Sequence, residues 1–132
     1  MKLDYSRPPV TEPVDYVVTN IGTLSWKTWS TSPTVQPPHG MMEADPFTTP
    51  GIGDEYLADK IYAFAAGGFA LMPVGPNPSS VPADNASEFD RDLEVATPHY
   101  YAVLLEDTDI ETEYTVSQTS ACFRFHYPEG QT

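Results

Sequence analysis

The fold class follows from the segment between residues 100 and 127, which reads YYAVLL, EDTD, IETEYTV, SQTS and ACFRFHY. In its last part the odd-numbered positions are apolar, and Cys122, Arg124 and His126 fall between them. Alternate side chains share one face of a strand, so this period of two predicts a half-buried β-strand. Residues 110–116 alternate in the same way, and 100–105 are apolar on both faces, as in a covered strand. With polar breaks of hairpin length between them, these runs predict an antiparallel meander.

Length and composition extend this prediction to the whole chain. With 132 residues, 40% of them hydrophobic, the chain is long enough for one domain with a core. Its 14 prolines would break helices of ordinary length. The sequence therefore predicts an all-β, loop-rich antiparallel β-sandwich. We expect an extended arm over residues 1–13, a short β run at 14–19, and a β-sandwich domain, or the first part of one, over 14–132.

Residues 54–66 fit two different structures. Asp54 could cap a short helix whose apolar positions are Leu57, Ile61 and Ala65, and local propensity favours this helix slightly. The same residues also fit a strand that enters a turn at Gly67 and continues in a second strand over 69–74. Both structures remain open at this point.

The net charge, the cysteine content and the absence of long apolar runs limit the classes of partner and the covalent links that we expect for this chain. The formal net charge of −13 repels nucleic acid and anionic membranes, so neither is an expected partner. No apolar run approaches the length of a membrane span. A single cysteine, Cys122, excludes an internal disulfide. No apolar signal core follows Met1, so we expect no signal peptide in this chain.

Five phrases follow one another in a recognisable order. They are VVTNIGT at 17–23, PHGM at 38–41, YLADKIYAF at 56–64, LMP at 71–73 and EVATPHYYAVLL at 94–105. Together they resemble the N-terminal β-sandwich domain of glycoside hydrolase family 92, the calcium-dependent exo-acting α-mannosidases. The resemblance spans residues 14–128, which correspond to the first part of that domain. It also favours loop plus strand for 54–66.

The resemblance implies a non-catalytic role. Family 92 enzymes keep their catalytic acid and base, and most calcium ligands, in an (α/α)-barrel domain that this chain does not contain. We therefore expect no catalytic residues and no cofactor here, with calcium belonging to full-length relatives. The chain would pack on the catalytic domain of a larger enzyme and contact its glycan, in a secreted or periplasmic setting. Whether the whole protein is an enzyme stays open.

Shortened loops support an alternative to this role. The His- and Gly-rich loop that faces the active site in the family is reduced here to AAGG at 65–68. The alternative is a stand-alone β-sandwich module that binds carbohydrate or protein.

Aromatic residues supply the candidate carbohydrate contacts. Trp26 and Trp29 lie in a polar segment, and sugar C–H faces stack on indole rings. A buried core position is an equally good interpretation for them. His39 stands where the family has phenylalanine, and we include it as the third candidate. The three histidines lack the spacing of a zinc site.

Alternating carboxylates supply the only metal candidates. Asp90, Asp92 and Glu94 would share one face if they lay in a strand, and such a row could hold Ca²⁺. A second row extends over residues 107–113. Neither row has the spacing of a known calcium loop, so a solvated acidic face is the favoured interpretation of both.

Overall fold

A computed structural model describes residues 2–6, 9–21, 23, 31–48 and 60–130. Within them the chain is all-β, with antiparallel strands and three short 3₁₀ turns, which confirms the predicted fold class. None of these residues belongs to a helix long and apolar enough to cross a membrane. The strands are β1 Ala44–Phe47, β2 Lys60–Ile61, β3 Ala63–Ala66, β4 Phe69–Leu71, β5 Ser87–Glu88, β6 Glu94–Thr97, β7 Tyr100–Leu105, β8 Ile110–Val116 and β9 Ala121–His126.

One side of the sandwich is a four-stranded meander in the order β6-β7-β8-β9. Its last three strands coincide with the runs predicted from alternation, and the register pairs Glu113 with Arg124. Asp109 ends the β7–β8 turn with φ 53°, a left-handed conformation that aspartate tolerates. The apolar run at 100–105 and the alternation after it therefore sufficed to place three of the four strands of this sheet.

The opposite side is a three-stranded sheet in the order β1-β3-β4. A two-residue turn joins β3 to β4, and both of its residues, Gly67 and Gly68, have positive φ values of 53° and 90°. These are the values of a type I′ turn, whose twist matches that of the flanking strands. The predicted strand over 69–74 is confirmed for residues 69–71.

The helix considered for residues 54–66 is wrong where the structure describes this segment, and residues 54–59 lie outside the description. Lys60–Ile61 pairs with β5, and after Tyr62 the chain changes partners, so that β3 pairs with both β1 and β4. Strand neighbours on both sides satisfy the backbone of β3, and they outweigh a slight local preference for helix.

Three aromatic rings join the two sheets. Phe64 of β3 is fully buried. Its ring centroid lies 6.5 Å from that of Tyr101 and 5.9 Å from that of Tyr114. The two tyrosine rings stack at 5.0 Å. Edge-to-face and offset stacked pairs of this kind add to the stabilisation from burial, so this cluster holds the sandwich together.

The N-terminal region contains no strand among its described residues, so the β run predicted at 14–19 is wrong. Pro13–Tyr16 forms a 3₁₀ turn instead. The Asp15 carboxylate accepts hydrogen bonds of 2.8 Å from the amides of Thr11 and Glu12, and proline suits the first position of such a turn. Closer to the terminus, Leu3 donates its amide to Glu111 on the outer face of the meander, so this part of the arm packs on the sheet.

Candidate functional site

Three turns meet at one end of the sandwich, which we call the loop end: residues 37–42, 67–68 and 117–120. The amides of Met41 and Met42 donate to the Gln118 carbonyl at 2.9 and 3.2 Å. A Cβ atom on Gly67 would lie 2.9 Å from the Met42 methyl group, so the two turns are in contact. Met41 itself is 82% exposed, which leaves an apolar side chain in solvent at this end.

His39, the third carbohydrate candidate, lies at the tip of the first of these turns. It is exposed and has φ 59°, in the left-handed region that residues other than glycine seldom adopt. The turn closes through a 2.9 Å hydrogen bond from the Gly40 amide to the Pro37 carbonyl. A Cβ on Gly40 would be only 2.5 Å from Pro37 Cγ, so the turn requires glycine there. The ring of His39 is thus presented to solvent on a tightly constrained backbone.

The two tryptophan candidates, Trp26 and Trp29, lie outside the described residues. Their assignment as sugar contacts stays a prediction.

The inner face of β4 extends beyond the cover that the opposite sheet provides. Opposite residues in a ladder point to the same side, and the register pairs Leu71 with Phe64 and Phe69 with Ala66. Phe64 and Ala66 are buried in the core, so their partners Phe69 and Leu71 project from the same side of the sheet, the side that faces the core. Yet Phe69 is 78% exposed and Leu71 is 42% exposed. Large apolar side chains on the core side of a sheet are normally buried, so the described part of the chain leaves this face uncovered.

The carboxylate row Asp90, Asp92 and Glu94 does not share one strand face, which corrects the prediction. Asp90 precedes a 3₁₀ turn at Arg91–Leu93, and its Oδ1 accepts the Asp92 amide at 2.9 Å. Glu94 begins β6, is buried, and accepts a 2.7 Å hydrogen bond from the Tyr101 hydroxyl. An aspartate that caps a turn fits the alternating pattern as well as one in a strand, which is why the sequence misled here.

Asp90 Oδ1 serves the turn and Glu94 Oε1 serves the buried tyrosine, whereas Ca²⁺ takes six to eight converging oxygen ligands. A calcium site at this row stays a prediction. Across residues 2–6, 9–21, 23, 31–48 and 60–130, no three histidine, cysteine or acidic side chains are grouped so that they could hold a metal ion.

A polar cluster that the sequence did not single out lies on the outer face of the meander. Glu113 is its centre: Oε1 accepts from Arg124 Nη1 and from His126 Nε2, both at 3.0 Å, and Oε2 accepts from the Tyr100 hydroxyl at 2.7 Å. The sequence did carry a signal, because the outward residues of the last two strands become cross-strand neighbours across a four-residue turn.

Burial and hydrogen bonding act in opposite directions on Glu113. Burial raises the pKa of the Glu113 carboxyl, but the hydrogen bonds from Tyr100 and His126 and the charge of Arg124 outweigh it and lower the pKa below its ordinary value. Burial and the nearby Glu113 carboxylate raise the pKa of Tyr100. The cluster thus holds an ionised carboxylate whose oxygens are already engaged, which is unsuited to donating a proton.

The N-terminal arm covers the neighbouring carboxylate. Glu111 is buried and accepts the Leu3 amide at 2.9 Å. Burial first, and then the charge of Glu111, raise the pKa of Tyr5 on the same arm. The acidic row over 107–113 was expected to be a solvated face. In the structure Asp107 and Asp109 are exposed in the β7–β8 turn, whereas Glu111 lies beneath the arm.

Comparison with known proteins agrees with this geometry. The family model of the glycosyl hydrolase family 92 N-terminal domain matches residues 16–132, nearly the whole chain. The chain belongs to the family 92 N-terminal domains. A search of curated proteins gave no match.

Solved family 92 structures share the fold of this domain. An α-mannosidase from Bacteroides thetaiotaomicron in complex with mannoimidazole aligns with 88% of this chain, at 26% identity and a TM-score of 0.70. An inverting mannosidase from Bacteroides thetaiotaomicron VPI-5482 aligns with 92% of it, at 24% identity and a TM-score of 0.77. The alignments take in only 18% and 19% of those two chains. The family 92 domain described here therefore spans about a fifth of the length of these relatives.

Proposed function

We propose that this chain serves as the non-catalytic N-terminal domain of a family 92 enzyme and packs on its catalytic domain. The observation that carries the proposal is the uncovered inner face of β4. Phe69 and Leu71 point to the core side of their sheet and are nonetheless exposed. A face of this kind is stabilised when another part of the protein removes it from water.

The hydrogen bonds already made by Glu94 and by the half-buried Glu113 support the non-catalytic part of the proposal. Glycoside hydrolysis needs two carboxyl groups on either side of the scissile bond, one of them with a raised pKa so that it can act as an acid. Glu94 and Glu113 already accept hydrogen bonds from tyrosine hydroxyls, and the pKa of Glu113 is lowered. For Glu113 this is the opposite of what a catalytic acid requires.

The loop end is the part of the domain that we assign to glycan contact. His39 is exposed on a constrained turn, and Met41 beside it leaves apolar surface in solvent. We assign Trp26 and Trp29 to the same role, because indole rings stack on sugar C–H faces. Titration of the isotope-labelled chain with α-1,2-mannobiose should shift the indole N–H signals in NMR spectra. Unchanged indole and His39 signals at saturating sugar would remove the glycan role from this chain.

A chimaera tests the packing on a catalytic domain. This chain would replace the aligned segment of the Bacteroides thetaiotaomicron α-mannosidase, and Phe69→Lys and Leu71→Lys would be introduced together. We expect the pair to leave the melting temperature of the isolated chain nearly unchanged, because both side chains are exposed there. In the chimaera the pair should lower the melting temperature and the mannosidase activity, because a buried interface would then receive two charges.

Val81→Lys is the matched control, since Val81 is apolar, 52% exposed and outside β4. It should be neutral in both proteins. If the double substitution is equally neutral in the chimaera, β4 does not face the catalytic domain and the proposal fails. A chimaera that does not fold, although both of its parts fold alone, counts against it as well.

A further inference from the structure

A cavity of about 290 Å³ lies at the end of the sandwich opposite to the loop end. The β7–β8 turn forms one wall, and residues 74–78 and 84–86 of the connection between β4 and β5 form the other. The loop end contains the β8–β9 turn, so the cavity and the loop end lie at opposite ends of β8. The volume is at the lower limit of the range of about 300–1,000 Å³ for ligand sites, which leaves room for one small molecule.

Hydrogen bonds within each wall hold the cavity in shape. In one wall Asn85 Oδ1 accepts the Ser79 amide at 2.8 Å, and Asn85 Nδ2 donates to the Ser79 carbonyl at 3.0 Å. In the other wall Asp107 Oδ2 accepts the Glu88 amide at 3.2 Å, and the Asp107 amide donates to Ser87 Oγ at 3.1 Å. A ligand that enters a cavity with fixed walls orders little of the chain, so it loses little affinity to conformational entropy.

Four polar side chains in the lining have hydrogen-bonding capacity left over. Asp84 and Asp107 each use Oδ2 within the walls, and Oδ1 of each makes no hydrogen bond with a described residue. Within the same ranges the side chain of Asn77 also makes none. Thr108 Oγ1 is buried and has no partner among the residues that the structure describes. A buried hydroxyl without a partner is unfavourable, and a ligand can supply the missing hydrogen bond.

The side chain of Thr108 is placed to turn its hydroxyl toward a ligand. Its methyl group lies toward Gly75 of the opposite wall, because a Cβ atom on Gly75 would be 3.7 Å from Thr108 Cγ2. No hydrogen bond fixes the hydroxyl in its present rotamer. A rotation between staggered positions about Cα–Cβ exchanges the methyl and hydroxyl groups, and the hydroxyl then faces Gly75 across the cavity.

We propose that this cavity binds a neutral polyhydroxylated molecule of the size of one sugar ring. Each hydroxyl group of such a ligand both donates and accepts, and the lining offers both functions. The free oxygens of Asp84 and Asp107 accept, the amide of Asn77 donates, and the Thr108 hydroxyl does either. The apolar part of the lining, which suits the C–H groups of a ring, consists of Val74, Pro76, Pro78 and Ala86.

The charges around the cavity argue against other classes of ligand. An anion would face Asp84 and Asp107, and no lysine, arginine or histidine lines the cavity in the described part of the chain. A cation has no acceptor to offer to the N–H groups of Asn77. A purely apolar molecule would remove all these polar groups from water without giving them a partner.

Titration of the isotope-labelled chain tests the inference. The probes are methyl α-D-mannopyranoside, methyl α-D-glucopyranoside and myo-inositol, each taken to about 100 mM, well above a millimolar dissociation constant. We expect at least one of them to shift the amide signals of Gly75, Asn77 and Thr108 in NMR spectra, with saturation. Methylammonium chloride should move these signals no more than sodium chloride does. If none of the three polyols shifts them, or if methylammonium alone does, the inference is overturned.

Two threonine-to-valine variants separate ligand binding from stability. Thr112 is the matched control for Thr108, because its hydroxyl is also buried without a partner in the described part of the chain and it does not line the cavity. Thr108→Val should weaken polyol binding about fivefold, since it removes one hydrogen bond, and Thr112→Val should not change it. Both variants should unfold at the same urea concentration as the wild type or a higher one.

Three results would contradict the role of Thr108: unchanged polyol binding by Thr108→Val, equal weakening in both variants, or a loss of stability in Thr108→Val alone. The inference goes beyond the proposed function and can fail separately. It is read from Gly75, Asn77 and Thr108, whereas glycan contact at the loop end is read from the indole and His39 signals.

Discussion

Replacement of Phe64 by alanine removes the ring that joins the two sheets, and we expect it to lower the free energy of unfolding by about 3–5 kcal/mol. Two features of Phe64 place the expected loss toward the upper end of this range of about 3–5 kcal/mol. Phe64 is fully buried, so the whole side chain returns to water. It also packs against Tyr101 and Tyr114, and each aromatic pair adds about 0.5–1.5 kcal/mol beyond burial. Since domains are stable by about 5–15 kcal/mol, much of the stability would be lost.

Phe69→Ala is the matched control for this experiment. It changes the same residue type on the same face of the same sheet, but Phe69 is 78% exposed. About a fifth of the side chain is covered, so the expected loss is roughly a fifth of the full cost, below about 1 kcal/mol. The difference between the losses of unfolding free energy in Phe64→Ala and Phe69→Ala therefore measures how much the opposite sheet stabilises a phenylalanine that it covers.

Urea unfolding followed by circular dichroism measures both losses. The slope of free energy against urea should be the same for the wild type and both variants, so that differences in midpoint report stability alone. Equal losses for Phe64→Ala and Phe69→Ala would show that the inner face of β4 is covered in solution. That result would refute the reasoning behind the proposed function.

Three further predictions concern the polar cluster and the two turns. A folded-state pKa of Glu113 below its ordinary value of 4.5 means that this group stabilises the fold above about pH 4.5, and that the contribution is lost as the pH falls through the lowered pKa. Glu113→Gln should therefore cost about 1.5–3 kcal/mol at pH 7 and flatten the acid limb of stability against pH; an unchanged acid limb would contradict the assignment. Gly67→Ala should destabilise more than Gly68→Ala in thermal melts, because both residues have positive φ but only a Gly67 Cβ would meet Met42, at 2.9 Å. His39→Gly should raise the free energy of unfolding by up to about 1 kcal/mol, since it relieves a left-handed backbone, and a loss of stability would show that the His39 side chain makes a contact that the fold needs.

The sequence predicted some of the contacts in the outer-face cluster around Glu113 but not all of them. The alternation of β8 and β9 placed Glu113, Arg124 and His126 on polar faces, and the short break between the strands made them neighbours. What the sequence could not show is that Tyr100 reaches the same carboxylate from the other side of β8, or that the arm covers Glu111. Both contacts join residues distant in the chain, and no local pattern records them.

The sequence by itself determined strands β7 to β9 of the meander, because a doubly apolar run at 100–105 and a period of two over 110–127 match the geometry of covered and half-buried strands. The order of short phrases also pointed to the family. Tertiary structure alone decided the segment at 60–66, where pairing of β3 on both sides overrode a slight helical preference. It also decided that Asp90 caps a turn and that Phe69 stays exposed while Phe64 is buried. Two phenylalanines in similar local sequence have opposite exposures because burial depends on what the opposite sheet covers, and that is a property of packing rather than of sequence pattern.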